Sequence, residues 1–442
     1  MRKPLVCVVV LLAASLTIIS CGGSSNSSSE KQTVSGLKYR VFISNPLFPT
    51  AAGTQSVLNI VDASRDALST SFVSLLTTSP QANLLALSPS LRYTLVFSPS
   101  SDLLGLIDNS TESVALEADQ STEVPPLTLP GSTQSMFIAN DNATGYVAVP
   151  SASVLGQAPG AVVVTSLLTG TITATIPVSG ARFLVPSPDT NHILVFGSDP
   201  QSVTVITPAL IGSNEDPRST VCCFDHPVWG VFNPDNQTAY IFDCGPEPGC
   251  GGTAAGVTVM TIGSIAAGST TPVSAASYGI LNGTTLYVAG TPPNTACGPG
   301  TQAKTCGTLN IIDTGTMTVT NSSPILITDG YHDRMQISQD GQLFIGAQSC
   351  SNVNTGSEVR GCLSIFDTST SAVVIPPQIG DVTGIQPIPG RQVAYVLQNG
   401  SLFVYDTTTD KLQVTGSNGF NNNGQVDIVG QLFDLKLVDP PR

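Results

Sequence analysis

Leu309-Asn310-Ile311-Ile312-Asp313, followed by Thr314, Gly315 and Thr316, decides the fold, because seven other stretches repeat its pattern of apolar residues, then Asp or Thr, then small polar residues. They are Leu58-Asn59-Ile60-Val61-Asp62, Leu104-Gly105-Leu106-Ile107-Asp108, Val162-Val163-Val164-Thr165 and Val203-Thr204-Val205-Ile206-Thr207. The rest are Val257-Thr258-Val259-Met260-Thr261, Leu363-Ser364-Ile365-Phe366-Asp367 and Leu402-Phe403-Val404-Tyr405-Asp406. From Asp62 onward the terminal polar residues are spaced by 46, 57, 42, 54, 52, 54 and 39. A period of this length with several short strands per unit marks a β-propeller. The fold class expected is all-β, with four-stranded antiparallel blades.

A β-rich run precedes each such stretch: Tyr39 to Ser44, Tyr93 to Ser98, Tyr146 to Val149, Ile193 to Phe196, Ala239 to Phe242, Leu286 to Ala289, Leu343 to Gly346 and Val393 to Leu397. Hairpin turns such as Ser187-Pro188-Asp189, Asn233-Pro234-Asp235-Asn236 and Ser338-Gln339-Asp340-Gly341 precede several of these runs, and Pro, Asp, Asn and Gly supply the turn geometry. Each unit therefore reads as strands A to D, and eight blades are counted, where seven is the commoner number. The first unit lacks its inner strand. The C-terminal run Gln425 to Phe433 is expected to pair with the Tyr39 strand, closing the ring and hiding two edges. The repeated Asp reads as a cap on the C–D turn, accepting backbone N–H bonds. No stretch has the alternating oxygen ligands of a calcium loop.

These units resemble YVTN-type β-propeller repeats. The likeness is carried by Leu286-Tyr287-Val288-Ala289 with Ile312-Asp313-Thr314, by Phe366-Asp367-Thr368, and by Ala394-Tyr395-Val396 with Tyr405-Asp406-Thr407. It covers most of the chain and implies an architecture; the middle units depart from it at Thr165, Thr207 and Thr261.

The chain opens with Arg2 and Lys3, an apolar run from Leu5 to Ile19, and then Ser20-Cys21-Gly22-Gly23. A basic start, a short apolar stretch and small residues make a secretory signal, and the run falls short of the roughly 20 residues that span a bilayer. Ile18-Ile19-Ser20-Cys21 resembles a bacterial lipobox, which implies a lipid on Cys21 and attachment to a membrane, with Gly22 implying the outer membrane. The expected organisation is a signal peptide over residues 1–20, a flexible Gly/Ser tether over 21–37, and one propeller domain over 38–442. Charged residues make up only 10% of the chain, and the net charge of −14 becomes −16 once Arg2 and Lys3 are removed. Such a surface repels nucleic acid.

Eight cysteines follow Cys21, an even number in a compartment expected to be oxidising. Cys244 and Cys250, Cys297 and Cys306, and Cys350 and Cys362 each bracket a B–C connection in consecutive blades, and three local disulfides are expected. Their spacing is irregular and no His neighbours them, unlike a zinc site. Cys222 and Cys223 are adjacent. Two schemes stay open: a strained bond between them, or bonds to Cys244 and Cys250.

In a four-stranded blade the B–C loops and the D-to-A crossings share one face, so all eight cysteines lie there with the longest loops. The crossings end at the central channel. Two of them carry the candidate ligand-binding residues Asp225, His226 and Trp229, and Tyr331, His332, Asp333 and Arg334, with Arg182 starting another inner strand. A mouth lined by two Arg, imidazoles and carboxylates suits an anionic or sugar-like ligand. No nucleophile elbow, zinc-protease motif or phosphate loop is present, and no metal or cofactor is expected. The function expected is a lipid-anchored binding or scaffolding module at the bacterial cell envelope, periplasmic or surface-exposed, contacting an envelope protein or glycan. Eight-bladed lipoproteins of outer-membrane protein assembly offer a fold-level analogy. The alternative is a propeller enzyme, lactonase-like or quinoprotein-like, with His226 or His332 as base and Arg334 holding an anion. Quinone-dependent propellers repeat a tryptophan docking motif, and this chain has one Trp.

Overall fold

The computed structural model describes residues 34–50, 53–75, 79–298, 301–303, 305–355, 358–413 and 424–440. The expected signal peptide, Cys21 and most of the expected tether lie outside the described residues. The tether's last residues, 34–37, do not hang free: the Ser35 backbone N–H and hydroxyl both donate to the Glu112 carboxylate.

Eight antiparallel sheets follow one another along the chain and form an eight-bladed β-propeller. All eight quoted stretches are strand C of a blade, and each pairs with the preceding β-rich run as strand B. The inner strands of blades two to eight are Leu84–Leu87, Ser135–Ile138, Phe183–Pro186, Pro227–Phe232, Tyr278–Asn282, Tyr331–Ile337 and Val382–Pro387. Blade seven also carries a small hairpin, Val353–Thr355 with Glu358–Arg360, in its B–C loop.

Strands B and C are sandwiched between neighbouring blades, which explains their near-continuous apolar runs. Every residue of Tyr93–Ser98 is buried. In blade one, Val41 and Ile43 pack with Tyr395, Leu397 and Val404 of blade eight, while Phe42, Leu58 and Ile60 pack with Leu85, Val96 and Ile107 of blade two. Side chains alternate along a strand, so one strand serves two interfaces. Each such side chain contributes about 1.5–3 kcal/mol by leaving water.

Ring closure uses the C-terminus, at a different point from the one expected. Leu435–Leu437 pairs with Val41, Phe42 and Ile43 and supplies the missing strand A of blade one. Gln425–Val426 instead extends the outer side of blade eight beside Leu402 and Phe403. The residues between them make the D-to-A crossing, held by Asn45, whose Nδ2 donates to the Val429 carbonyl and whose Oδ1 accepts from the Gln431 N–H. Gly430 lies against Asn45 at φ 127°, where a Cβ would sit 2.2 Å from Asn45 Oδ1, so only glycine fits. A buried ion cluster completes the closure. Arg40 of the first strand donates to Asp439 through Nε and Nη2 and to Glu112 and the Asn109 carbonyl through Nη1.

The repeated Asp residues cap the C–D turns. Asp62, Asp108, Asp367 and Asp406 each accept the N–H two residues on, and Asp313 accepts the N–H of Thr316. Burial works against the Asp62 charge, but Ser64 and Arg65 outweigh it and hold the carboxyl below its usual range. Asp62→Ala is expected to destabilise the ring by about 1.5–3 kcal/mol, the range for bonds to a charged group. Urea unfolding at pH 7 measures it, and the loss should shrink as pH falls through the carboxylate range, where the wild-type group also loses its charge.

Candidate functional site

The eight inner strands start around one cavity of about 750 Å³ on the face of the B–C loops. This size lies within the range of small-molecule sites. Arg182 and Phe183 come from blade four, Trp229 from blade five, Tyr278 from blade six, Tyr331, Asp333 and Arg334 from blade seven, and Asp381 and Thr383 from the entry to blade eight. Amides and hydroxyls such as Gln134, Ser135, Gln348 and Asn399 fill the gaps.

Three inner strands carry a β-bulge at this mouth. Val228, Asp333 and Thr383 are the unpaired residues, each lying between two ladder pairs of its blade, and all three line the cavity. Bulges re-aim side chains, and here they break the strand alternation. In blade seven, Tyr331 lines the cavity, His332 does not, and then both Asp333 and Arg334 do.

The aromatic wall is continuous. Phe183 meets Trp229 edge-on with centroids 5.7 Å apart, and Trp229 lies 4.8 Å from Tyr278 at a tilt of 31°. Arg182 stacks over Phe183 at 4.9 Å and donates from Nε to Gln134 Oε1 at 3.2 Å. Trp229 and Tyr278 also border a second cavity of about 410 Å³, lined by Phe137, Val185, Phe232 and Ile280. The two rings thus separate a polar vestibule from a more apolar cavity that reaches the A–B turns at Pro89, Asn140 and Thr190, on the opposite face of the ring.

The charges are arranged unequally. Arg334 is engaged: Nε donates to the Thr383 carbonyl at 3.1 Å, and Nη1 to the Asp333 carbonyl at 2.8 Å and its Oδ2 at 3.2 Å. Gln348 Nε2 donates to the same Oδ2 at 2.6 Å. Asp333 Oδ1 and Thr383 Oγ1 are buried without a partner. Burial pushes the Asp333 carboxyl above its ordinary range, with the Arg334 charge opposing it. Burial likewise pushes Tyr278 up to about 12. Arg182 has no carboxylate partner among the ion pairs of the described residues. It stands in blade four, across the ring from Asp381 at the entry to blade eight, whose Oδ1 accepts the Ser349 N–H.

Three residues expected at the mouth lie elsewhere. His332 is 1% exposed and faces blade six, where Gly307 leaves room for its ring. Its Nε2 donates to the Thr328 carbonyl at 3.0 Å and its Nδ1 has no partner, so the ring is neutral, and burial lowers its pKa to about 4. Asp225 and His226 precede the inner strand and hold the neighbouring cysteine loop. Asp225 Oδ2 accepts from the Thr253 N–H and hydroxyl and the Ala254 N–H, while Oδ1 meets His226 Nδ1 at 3.1 Å. The mouth therefore has no imidazole among its described residues, and the base role expected of His226 or His332 has no position there. Phe183, Tyr278, Gln348 and Thr383 were missed. Counting every first inner-strand residue as equivalent would have found Phe183 and Tyr278, whereas a bulge leaves no signal in composition.

Disulfides join Cys244 to Cys250, Cys297 to Cys306 and Cys350 to Cys362. Cys222 and Cys223 therefore do not pair with the blade-five loop. Their Sγ atoms sit 2.6 Å apart, with Cys223 at φ 79°. No group of three His, Cys, Asp or Glu side chains among the described residues is placed to hold a metal ion.

No family model matches the chain, and no curated protein matches it in sequence. Solved structures do resemble it. The dihydro-heme d1 dehydrogenase NirN, in complex with DHE, superposes with a TM-score of 0.61 at 14% identity, covering 91% of this chain and 75% of that one. A eukaryotic initiation factor gives 0.51 at 11% identity, covering 92% and 100%. A functionally unknown protein from Desulfotomaculum acetoxidans DSM 771 gives 0.50 at 12%, covering 91% and 99%. At these identities the likeness is one of fold. Fold and site together define an eight-bladed β-propeller with a polar, aromatic-walled cavity at one end of its channel.

Proposed function

We propose that this chain is an exported, lipid-anchored propeller of YVTN-repeat type that binds a small polar ligand, free or as the end of an envelope glycan, in the cavity at its mouth. The observation that carries the reading is the vestibule itself, where a wall of three aromatic rings faces buried polar atoms that lack partners, Asp333 Oδ1 and Thr383 Oγ1. Buried polar atoms without partners are costly, and a ligand that satisfies them recovers that cost.

A thermal-shift screen of the mature chain against envelope oligosaccharides and small polar metabolites tests the binding. A ligand at about 100 times its dissociation constant adds roughly 2.7 kcal/mol of stability. The expected result is a rise in Tm for wild type that disappears in Trp229→Leu; a rise that survives this substitution places the ligand elsewhere. The intact mass of the membrane-extracted protein tests the anchor, with a diacylglyceryl adduct on Cys21 expected.

One observation favours catalysis as a second reading. Asp333 is a carboxyl with raised pKa, set in a cleft beside an arginine, which is the environment of a general acid or base. Turnover of a bound ligand that is lost in Asp333→Asn while binding persists would favour the enzyme; binding without turnover in wild type favours the receptor.

A further inference from the structure

We infer that the vestibule recognises a polyhydroxylated carboxylic acid, a uronic or aldonic acid unit, whether free or at the end of an acidic glycan. This rests on the proposed binding role of the mouth and narrows it. Three features set the ligand's chemistry, and they lie on different walls.

The first is Arg182. Its guanidinium is held in place by stacking over Phe183 and by the Nε bond to Gln134, which leaves its two outer nitrogens without a carboxylate in the described structure. A planar guanidinium fixed at one end presents a fork that a carboxylate fills. Arg334 offers no such fork, because Asp333 and the Thr383 carbonyl already engage it. The second feature is the acceptor side. Asp333 Oδ1, without a partner, and Asp381 stand in blades seven and eight, away from Arg182, and accept from hydroxyl donors. Thr383 Oγ1, also unpartnered, can donate or accept. The third is the wall between them: Trp229 and Tyr278 line the cavity with apolar ring surface against which the C–H groups of a sugar ring pack. One ligand meets all three when it carries an anion at one end, hydroxyls at the other and an apolar ring face between. A plain carboxylate reaches only the first, and a neutral sugar only the other two.

The test uses calorimetric titration of the mature protein with sodium galacturonate, sodium gluconate, galactose, acetate and a dialanine peptide, together with oligogalacturonate. Arg182 is exposed and outside the core, so Arg182→Gln is expected to fold as wild type, checked by circular dichroism. The expected result is binding of at least one sugar acid roughly tenfold tighter than galactose, with Arg182→Gln removing that preference while weak galactose binding persists. If oligogalacturonate alone binds, the source is a glycan end. Equal affinity for galactose, an unchanged preference in Arg182→Gln, or binding of dialanine in place of the sugar acids overturns the inference. If none of these probes binds while the thermal-shift screen finds another ligand that Trp229→Leu abolishes, the inference fails and the binding role stands. If no compound in either experiment depends on Trp229, both fail.

Discussion

Arg40→Met is expected to destabilise the propeller by about 3–5 kcal/mol, the usual result of removing one member of a buried ion cluster. Arg40 is 7% exposed, and its guanidinium joins three segments that are distant in sequence. It stands in the first strand, pairs with Glu112 in the turn of blade two, and pairs with Asp439 just beyond the closing strand. The Arg40 backbone N–H donates to Asp439 as well, at 2.7 Å. Methionine keeps the length of the stem but leaves two acids in low dielectric with no cation, and Glu112 is only 2% exposed. The loss should appear as a lower urea midpoint and as faster unfolding, because the closing strand loses its outer anchor. A change under about 1 kcal/mol, the worth of a solvated surface pair, would mean that water reaches this cluster.

The second large effect is a pH dependence carried by His332. Its pKa is lowered to about 4 in the folded ring, against 6.5 for a free imidazole. Between those values the unfolded chain binds a proton that the folded chain does not. The contribution of His332 is therefore complete above pH 6.5 and is lost as pH falls to 4, by roughly 3 kcal/mol in all. Asp243 acts in the opposite sense. Burial raises its pKa to about 6, so the folded state binds the extra proton between pH 6 and 3.8. Comparing wild type with His332→Gln at each pH removes the Asp243 contribution. The stability advantage of wild type should shrink by roughly 3 kcal/mol from pH 7 to pH 4. A difference that stays constant across the range would show that His332 titrates as an exposed imidazole does.

His332 also shows where reading from sequence ends. Strand C was legible from its apolar run, which in five blades ends on an Asp that caps a turn, as Asp406 does for Thr408 and Thr409, and in three ends on Thr165, Thr207 or Thr261, of which Thr207 caps nothing and Thr165 bonds the Gly145 carbonyl. Once the strands were counted, the topology placed the D-to-A crossings at the channel, and Arg182, Trp229, Tyr331, Asp333 and Arg334 do line the cavity there. Which residue within a crossing points inward depends on the pleat, and the pleat shifts by one at each bulge. Nothing in Tyr331-His332-Asp333-Arg334 reveals the bulge at Asp333, so His332 could not be separated from its neighbours. Asp225 and His226 were misplaced for another reason: the peptide before Pro227 lies outside the inner strand, where the acid meets the N–H groups of Thr253 and Ala254. The closing strand was displaced from its expected position because Gln425–Val426 has strand composition, yet the crossing held by Asn45 intervenes before the ring closes.

The central claim is that the mouth of the channel is a ligand site, and the chain contains its own reporter for it. Trp229 is the only tryptophan, so emission excited at the red edge of the absorption band comes from the aromatic wall alone. The most direct measurement is that emission while the protein is titrated with each compound that raises its Tm. The account predicts a saturable change in intensity or wavelength, with a midpoint equal to the calorimetric dissociation constant. A compound that stabilises the protein while Trp229 emission stays unchanged through saturation would contradict it.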